Sequence, residues 1–282
     1  MIFVYDMRAT FILYILINHF AIASSWSLLQ HHNKHQHKHQ SNNYITTMSA
    51  ANKIDSDGSM TNSTLLISKM KMIGGDKVKL LLASQSPRRR EILDMMGLQN
   101  RYTHQPSPLD EEALQIELAK QEITPSDYAR ILAERKAEAM GASMPSTNGE
   151  DITFIIGSDT IVDLDGCVMN KPTSEADAHH MLSKLSGNWH QVHTGVAVYS
   201  GTEIMFSFTD TTSVKFAKLS SNDIQSYIAS QEPMDKAGSY GIQGVGGQLV
   251  EEIRGDYFTV MGLPMHRLSR ELSKAIDSLD IS

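Results

Sequence analysis

The chain has 282 residues, with 32 acidic against 25 basic side chains and a formal charge of −7. That length suits one large or two small domains, and the acidic balance excludes a general nucleic-acid-coating protein. Any phosphate site must be a local patch. The single cysteine, Cys167, rules out a disulfide within the chain and a cysteine-based metal centre.

Residues 1–30 contain a mostly apolar run, Thr10–Ser24, that follows Arg8 and ends near Ala21-Ile22-Ala23. This is the pattern of a secretory or organelle-entry signal, and the run is short for a membrane span. An upstream start codon, with Met48, Met60 or Met70 as the true start, accounts for the same stretch equally well. Residues 31–76 open with His31–Gln40, which holds five of the twelve histidines, and continue Ser-, Asn- and Met-rich. They read as a disordered polar linker, with weak transition-metal binding as the alternative for the histidine tract. The folded domain is expected over 77–275, with 276–282 as a tail.

The domain opens on Leu80–Leu93, LLLASQSPRRREIL. Leu80–Ala83 is a short apolar run, as in a strand covered on both faces. Ser86 suits an N-cap and Pro87 the first helical position. Arg88, Arg89 and Arg90 then occupy the first helical turn, where the macrodipole is already positive. Three cations there are unfavourable unless an anion joins them. With Ser84 and Ser86 alongside, the turn suits phosphate; the bland reading is a solvated basic turn.

Asp110, Glu111 and Glu112 follow a two-proline loop, as a solvated helix start or as Mg²⁺ ligands. A second helix begins at Thr124-Pro125, with Tyr128, Ile131, Leu132 and Ala139 as its apolar stripe and Lys136 at the stripe's edge. Gly141–Asp151 reads as a polar surface loop. Thr153–Ile156 is a further buried strand, and Asp159 just beyond it stands where α/β proteins place active sites. The alternative for Asp159 is a turn residue. Ile161–Met169 reads as a hairpin around Asp165-Gly166. A helix follows over Ser174–Leu185, with Ala178, Met181, Leu182 and Leu185 on one face.

Trp189–Tyr199 and Thr209–Phe216 read as antiparallel strands. His190 and His193 point to opposite faces and are structural rather than co-ligands. Ser221–Ser230 is a short helix. Five glycines within residues 238–247 let the backbone approach a flat ligand or another backbone closely. A strand from Gly255-Asp256-Tyr257 to Met261 and a helix over Met265–Ala275 close the domain.

Several motifs recur in an order that resembles the Maf proteins, nucleoside triphosphate pyrophosphatases. They are Ser84-Gln85-Ser86-Pro87-Arg88-Arg89, Gly157-Ser158-Asp159-Thr160, Lys171-Pro172, Leu185-Ser186-Gly187 and Thr194-Gly195-Val196. Further on come Glu232-Pro233-Met234-Asp235-Lys236-Ala237-Gly238, Tyr240-Gly241-Ile242-Gln243-Gly244 and Val260-Met261-Gly262-Leu263-Pro264. The resemblance covers about Lys79–Leu272 and implies an α/β fold of the Maf and inosine-triphosphatase-like type. That fold is an elongated mixed sheet flanked by helices, with a central nucleotide cleft between two lobes.

The resemblance further implies hydrolysis of a nucleoside triphosphate between the α and β phosphates, a divalent cation (Mg²⁺ or Mn²⁺), a homodimer and a cytoplasmic setting. A true signal in residues 1–25 would change that compartment. Arg88, Thr160 and Gln243 resemble the selectivity set of the branch that prefers dTTP and UTP; the branch for 7-methyl-GTP has tryptophan where Arg88 stands. Asp159 matches the proton acceptor. Glu111, or Asp110 beside it, matches the acidic position on the metal side, with Asp159 as a second metal ligand. Ser84, Ser86, Arg88, Arg89, Lys136 and Lys171 match substrate-binding positions. Ser158 stands where many members have alanine. Modified pyrimidine nucleotides are a further substrate class, and a non-catalytic nucleotide-binding regulator with the same cleft is the competing reading. No nucleic-acid partner and no stable membrane span are expected.

Overall fold

Among the described residues, apolar runs, caps and turns of the kinds read from sequence lay out seven α-helices and seven strands in chain order. The computed structural model describes residues 65–69, 73, 78–144 and 152–279. The expected signal segment, the histidine tract, most of the linker and the last residues of the tail lie outside these. The elements are β1 Val78–Leu82, α1 Pro87–Met95, β2 Tyr102–His104, α2 Glu111–Leu118, α3 Pro125–Ser143, β3 Ile152–Leu164 and β4 Cys167–Met169. Next come α4 Glu175–Leu185, β5 Trp189–Ser200, β6 Glu203–Phe216, α5 Ser221–Ala229, β7 Val250–Arg254, α6 Tyr257–Met261 and α7 Met265–Asp277.

The strands form one mixed sheet in the order β2-β1-β3-β5-β6-β7, with β4 paired to β3. β1 is parallel to β2 and β3, and the other pairs are antiparallel. Among the described residues, no helix is long and apolar enough to cross a membrane.

The long strands β3, β5 and β6 run through two separate cores. On one sheet face, Leu80, Leu82, Phe154, Ile156 and Val196 pack against Ile92 and Leu93 of α1 and Leu268 and Leu272 of α7. Beyond the middle of the strands, Val162, Val192, Val214 and Phe216 pack against Leu182 of α4 and Ile224 of α5. These two cores are the two lobes expected from the resemblance. Leu66 and Ile73 are also fully buried, so the packed body reaches upstream of the Lys77 start expected from sequence.

The opposite face is covered by α3, whose buried side is lined by Ala129, Ala133 and Ala137. Close approach is required here. A Cβ on Gly157 would lie 2.2 Å from the carbonyl oxygen of Ala133, and one on Gly195 would lie 2.2 Å from that of Ala129. Gly195→Ala is therefore expected to lose about 3 kcal/mol through overpacking against backbone that cannot yield. Denaturant unfolding checks this, and a midpoint equal to wild type would refute the tight helix–sheet contact.

β2 and β7 add to the strands read from sequence, β6 begins at Glu203 rather than Thr209, and three further elements differ. Tyr257–Met261 is helical, not a strand: Asp256 accepts from the Phe258 amide at 3.0 Å, and Gly262 ends the turn at φ 114°. A five-residue apolar run cannot reveal its own period. The helix α3 runs past Gly141 to Ser143 before the expected loop. Asp159 lies in the middle of β3 rather than just beyond a strand, because Gly157 and Ser158 sit within the ladder to Val196 and Ala197.

Candidate active site

A cleft of about 370 Å³ opens between the two cores. Five cationic side chains reach it: Arg88 and Arg89 of α1, Lys136 of α3, and Lys171 and Lys236 from loops. Apolar side chains, Val162, Val192, Tyr240, Ile242 and Met261, line it as well. The pocket therefore joins a triphosphate-sized charge field to a surface suited to a flat ring.

Ser86 holds the N-cap position of α1, but its side chain makes no capping bond. The cationic first turn thus has no internal anion at its cap, the condition under which it favours an external one. Ser84 accepts from the Ser86 amide at 3.2 Å and from Arg89 at 3.0 Å. Arg89 also donates to the Gly262 carbonyl at 2.9 Å and to Thr160 at 3.3 Å. All three guanidinium nitrogens are engaged, so its charge is fixed in direction. Burial lowers the pKa of Arg89 against the opposing pull of Asp159. Arg88 pairs with Asp235 at 3.7 Å.

On the other face of β3, Asp159 and Lys136 meet. The Lys136 ammonium donates to Asp159 at 2.6 Å and pairs with Glu111 at 2.8 Å. Lys136 is 6% exposed and lies in the middle of the buried side of α3, not at the stripe's edge as read from sequence. The small alanines around it, which carry little hydrophobic signal, had hidden that face. Burial would raise the Glu111 carboxyl, but Lys136, then Lys171 and Arg89, overcome it and hold it below the ordinary range. Of the neighbours Asp110 and Glu111, Asp110 caps α2 through the Ala113 amide at 3.0 Å and Glu111 faces Lys136.

A divalent cation fits this donor set. Two carboxylates already converge on one positive charge, and hard oxygen ligands of that number, completed by phosphates and water, suit Mg²⁺. Among the described residues, no group of three or more His, Cys, Asp or Glu gathers as a metal centre.

The structure brings Ser84, Ser86, Arg88, Arg89, Glu111, Lys136, Asp159, Thr160 and Lys171 together on the cleft. It does not bring Gln243: that amide donates to Glu91 and lies outside the lining. Ser158 is buried, with its hydroxyl 3.0 Å from the carbonyls of Gly195 and Gly262, so serine is accommodated there. His190 and His193 are buried and partnered by Tyr240 at 2.9 Å and Thr211 at 2.8 Å, in keeping with structural roles. Burial lowers the pKa of His190 to about 4, so it is neutral at pH 7. Sequence reasoning did not assign Asp235, Lys236 or Tyr240 to the site. Their charges beside a glycine-rich run were the available signal.

A two-core mixed sheet with a cationic cleft at its waist defines a nucleotide-phosphate-binding α/β protein. The chain belongs to the Maf-like protein family, which it matches over residues 79–275. It is 42% identical over 196 residues to a dTTP/UTP pyrophosphatase of Methylobacillus flagellatus, covering 69% of this chain and 91% of that protein. A dTTP/UTP pyrophosphatase of Bacillus cereus is 41% identical over 202 residues, covering 71% and 92%. A solved HAM1 protein from Coxiella burnetii is 16% identical, with a TM-score of 0.31 over 50% of this chain and 74% of its own.

Proposed function

We propose that the protein hydrolyses dTTP and UTP between the α and β phosphates, releasing the nucleoside monophosphate and pyrophosphate. The observation that carries this reading is the convergence of Lys136, Asp159 and Glu111 beside the arginines of α1, in one cleft that apolar side chains also line. The relatives' activity supports the same reading. Arg88, Arg89, Lys136 and Lys171 offset the roughly four negative charges of a triphosphate. Arg89, locked by three bonds, orients; Arg88 exchanges Asp235 for phosphate. Asp159 takes the proton of the attacking water as the α–β anhydride breaks, and the bridging oxygen leaves with pyrophosphate. A Mg²⁺ or Mn²⁺ ion held by Glu111 and Asp159 would neutralise phosphate charge and sharpen the water.

The pyrimidine ring is assigned to the apolar side chains of the cleft. Thr160 is committed to Arg89 and to Thr194 at 3.0 Å, so its selectivity role is to set the direction of the arginine. A direct contact of Gln243 with the base requires it to leave Glu91. The homodimer and the cytoplasmic setting belong to the same reading.

The test is product analysis with the purified full chain and Mg²⁺ or Mn²⁺, across dTTP, UTP, CTP, dATP, GTP and 7-methyl-GTP. Pyrophosphate from dTTP and UTP above the others is expected. Orthophosphate would mean that another bond is cut. Binding without any turnover would favour the regulatory reading.

A further inference from the structure

The glycine-rich run 238–247 is packed against side chains of its own chain. A Cβ on Gly244 would lie 2.4 Å from Glu232 Oε2, and one on Gly246 would lie 2.4 Å from the Tyr227 hydroxyl. The Glu232 carboxylate accepts from the amides of Val245 at 2.9 Å and Gly246 at 3.0 Å, and from the Tyr227 hydroxyl at 3.0 Å. The Tyr227 oxygen in turn accepts from the Gly241 amide at 3.1 Å. Burial would raise the Glu232 carboxyl, but these donors reverse the sign and hold it below the ordinary range. It therefore accepts as a carboxylate, the stronger form of such bonds.

Glu232 is not on the cleft. What it ties together is: Tyr240, Gly241 and Ile242 form one wall, and Asp235 and Lys236 belong to or adjoin the turn Glu232–Asp235 that Glu232 opens. Lys236 also donates to the Glu232 carbonyl. One half-buried side chain links both pieces of this wall, which carries the apolar Tyr240 and Ile242. Asp159 and Lys136 are held separately, by β3 and α3.

We propose that Glu232 is a positioning residue that sets the affinity for the pyrimidine end of the nucleotide without touching it. This rests on the reading of the cleft as a nucleoside triphosphate site. Loss of the carboxylate frees the 240–246 segment and leaves the reacting end in place, so binding falls while the chemical step does not.

Glu232→Ala is expected to raise KM for UTP about tenfold with kcat within about twofold of wild type. Affinity for the non-hydrolysable α,β-methylene UTP, measured by calorimetry, should fall by the same factor. Amide exchange at Val245 and Gly246 should quicken while the sheet stays protected. Glu232→Gln keeps one acceptor oxygen and should recover part of the affinity. Tyr227→Phe, which removes the hydroxyl that joins Glu232 to Gly241 and leaves the Val245 and Gly246 amides on the carboxylate, should move KM in the same direction by less, and it carries the test if Glu232→Ala does not fold. A folded Glu232→Ala protein with unchanged KM and unchanged analogue affinity would overturn the assignment, as would a fall in kcat alone. If wild type binds the analogue but releases no pyrophosphate, the hydrolytic reading fails, and the affinity and exchange measurements still decide Glu232.

Discussion

Asp159→Asn should lower the turnover of UTP about a thousandfold, within the span that general acid–base groups contribute. The substitution is close to isosteric. The asparagine oxygen still accepts from Lys136, which stands 2.6 Å from the native carboxylate. The position is 8% exposed and set in the middle of β3, so the fold has little reason to move. What disappears is a negative charge that can take a proton or hold a cation. Nucleotide binding should survive, because Arg88, Arg89 and Lys171 are untouched. Steady-state rates and analogue affinity measured on the same preparation check both halves. Turnover within tenfold of wild type would remove Asp159 from the chemistry. Cellular effects that persist in the inactive variant would favour a regulatory role for the cleft.

Lys136→Met should cost both activity and stability. Methionine matches the stem of lysine and fills the same space on α3, so packing loss is small. The cost comes from the two carboxylates left behind, one of them nearly buried. Removing one partner of a buried ion pair typically costs about 3–5 kcal/mol, and the half-exposed Glu111 keeps this case near the lower end. The pH dependence has a defined sign. Glu111 lies below its ordinary value in the folded protein because Lys136 outweighs burial. Its stabilising contribution is therefore complete above the unfolded-state pKa and is lost as pH falls through the folded one. The gap between wild type and variant should be full near neutral pH and shrink on the acid side. Denaturant unfolding at several pH values reads this directly. A constant gap would show that the ion pair contributes nothing through Glu111. Turnover should fall in parallel, since the proposed function has Lys136 face phosphate and align Asp159.

The cost and its pH dependence trace to contacts that join distant parts of the chain, and this is where sequence and structure part. The Thr124 cap was legible: Thr124 accepts from the Asp127 amide at 3.1 Å, as the local Thr-Pro-x-Asp pattern requires, whereas Ser86 makes no capping bond. Such bonds span three residues, so the chain carries them in plain order. The cationic start of α1 was legible for the same reason: three arginines at a helix N-terminus conflict with the macrodipole wherever that helix is placed. Asp159 could be singled out as a candidate from its buried neighbours.

What the chain order could not show is which side chains share a space. Lys136 lies between Asp159 and Glu111 because Gly157 and Gly195 let α3 settle onto the sheet, a contact written in the absence of side chains. The same holds for Glu232, whose three donors come from two other segments. Gln243, three residues beyond Tyr240, turns away to Glu91 while Tyr240 faces the cleft. By itself, then, the sequence determined most of the elements, the Thr124 cap and the family's set of charges, because each rests on bonds or patterns a few residues long. Only the tertiary structure decided which charges meet and which loop is clamped, because burial and ion pairing depend on distances in space that chain separation does not measure.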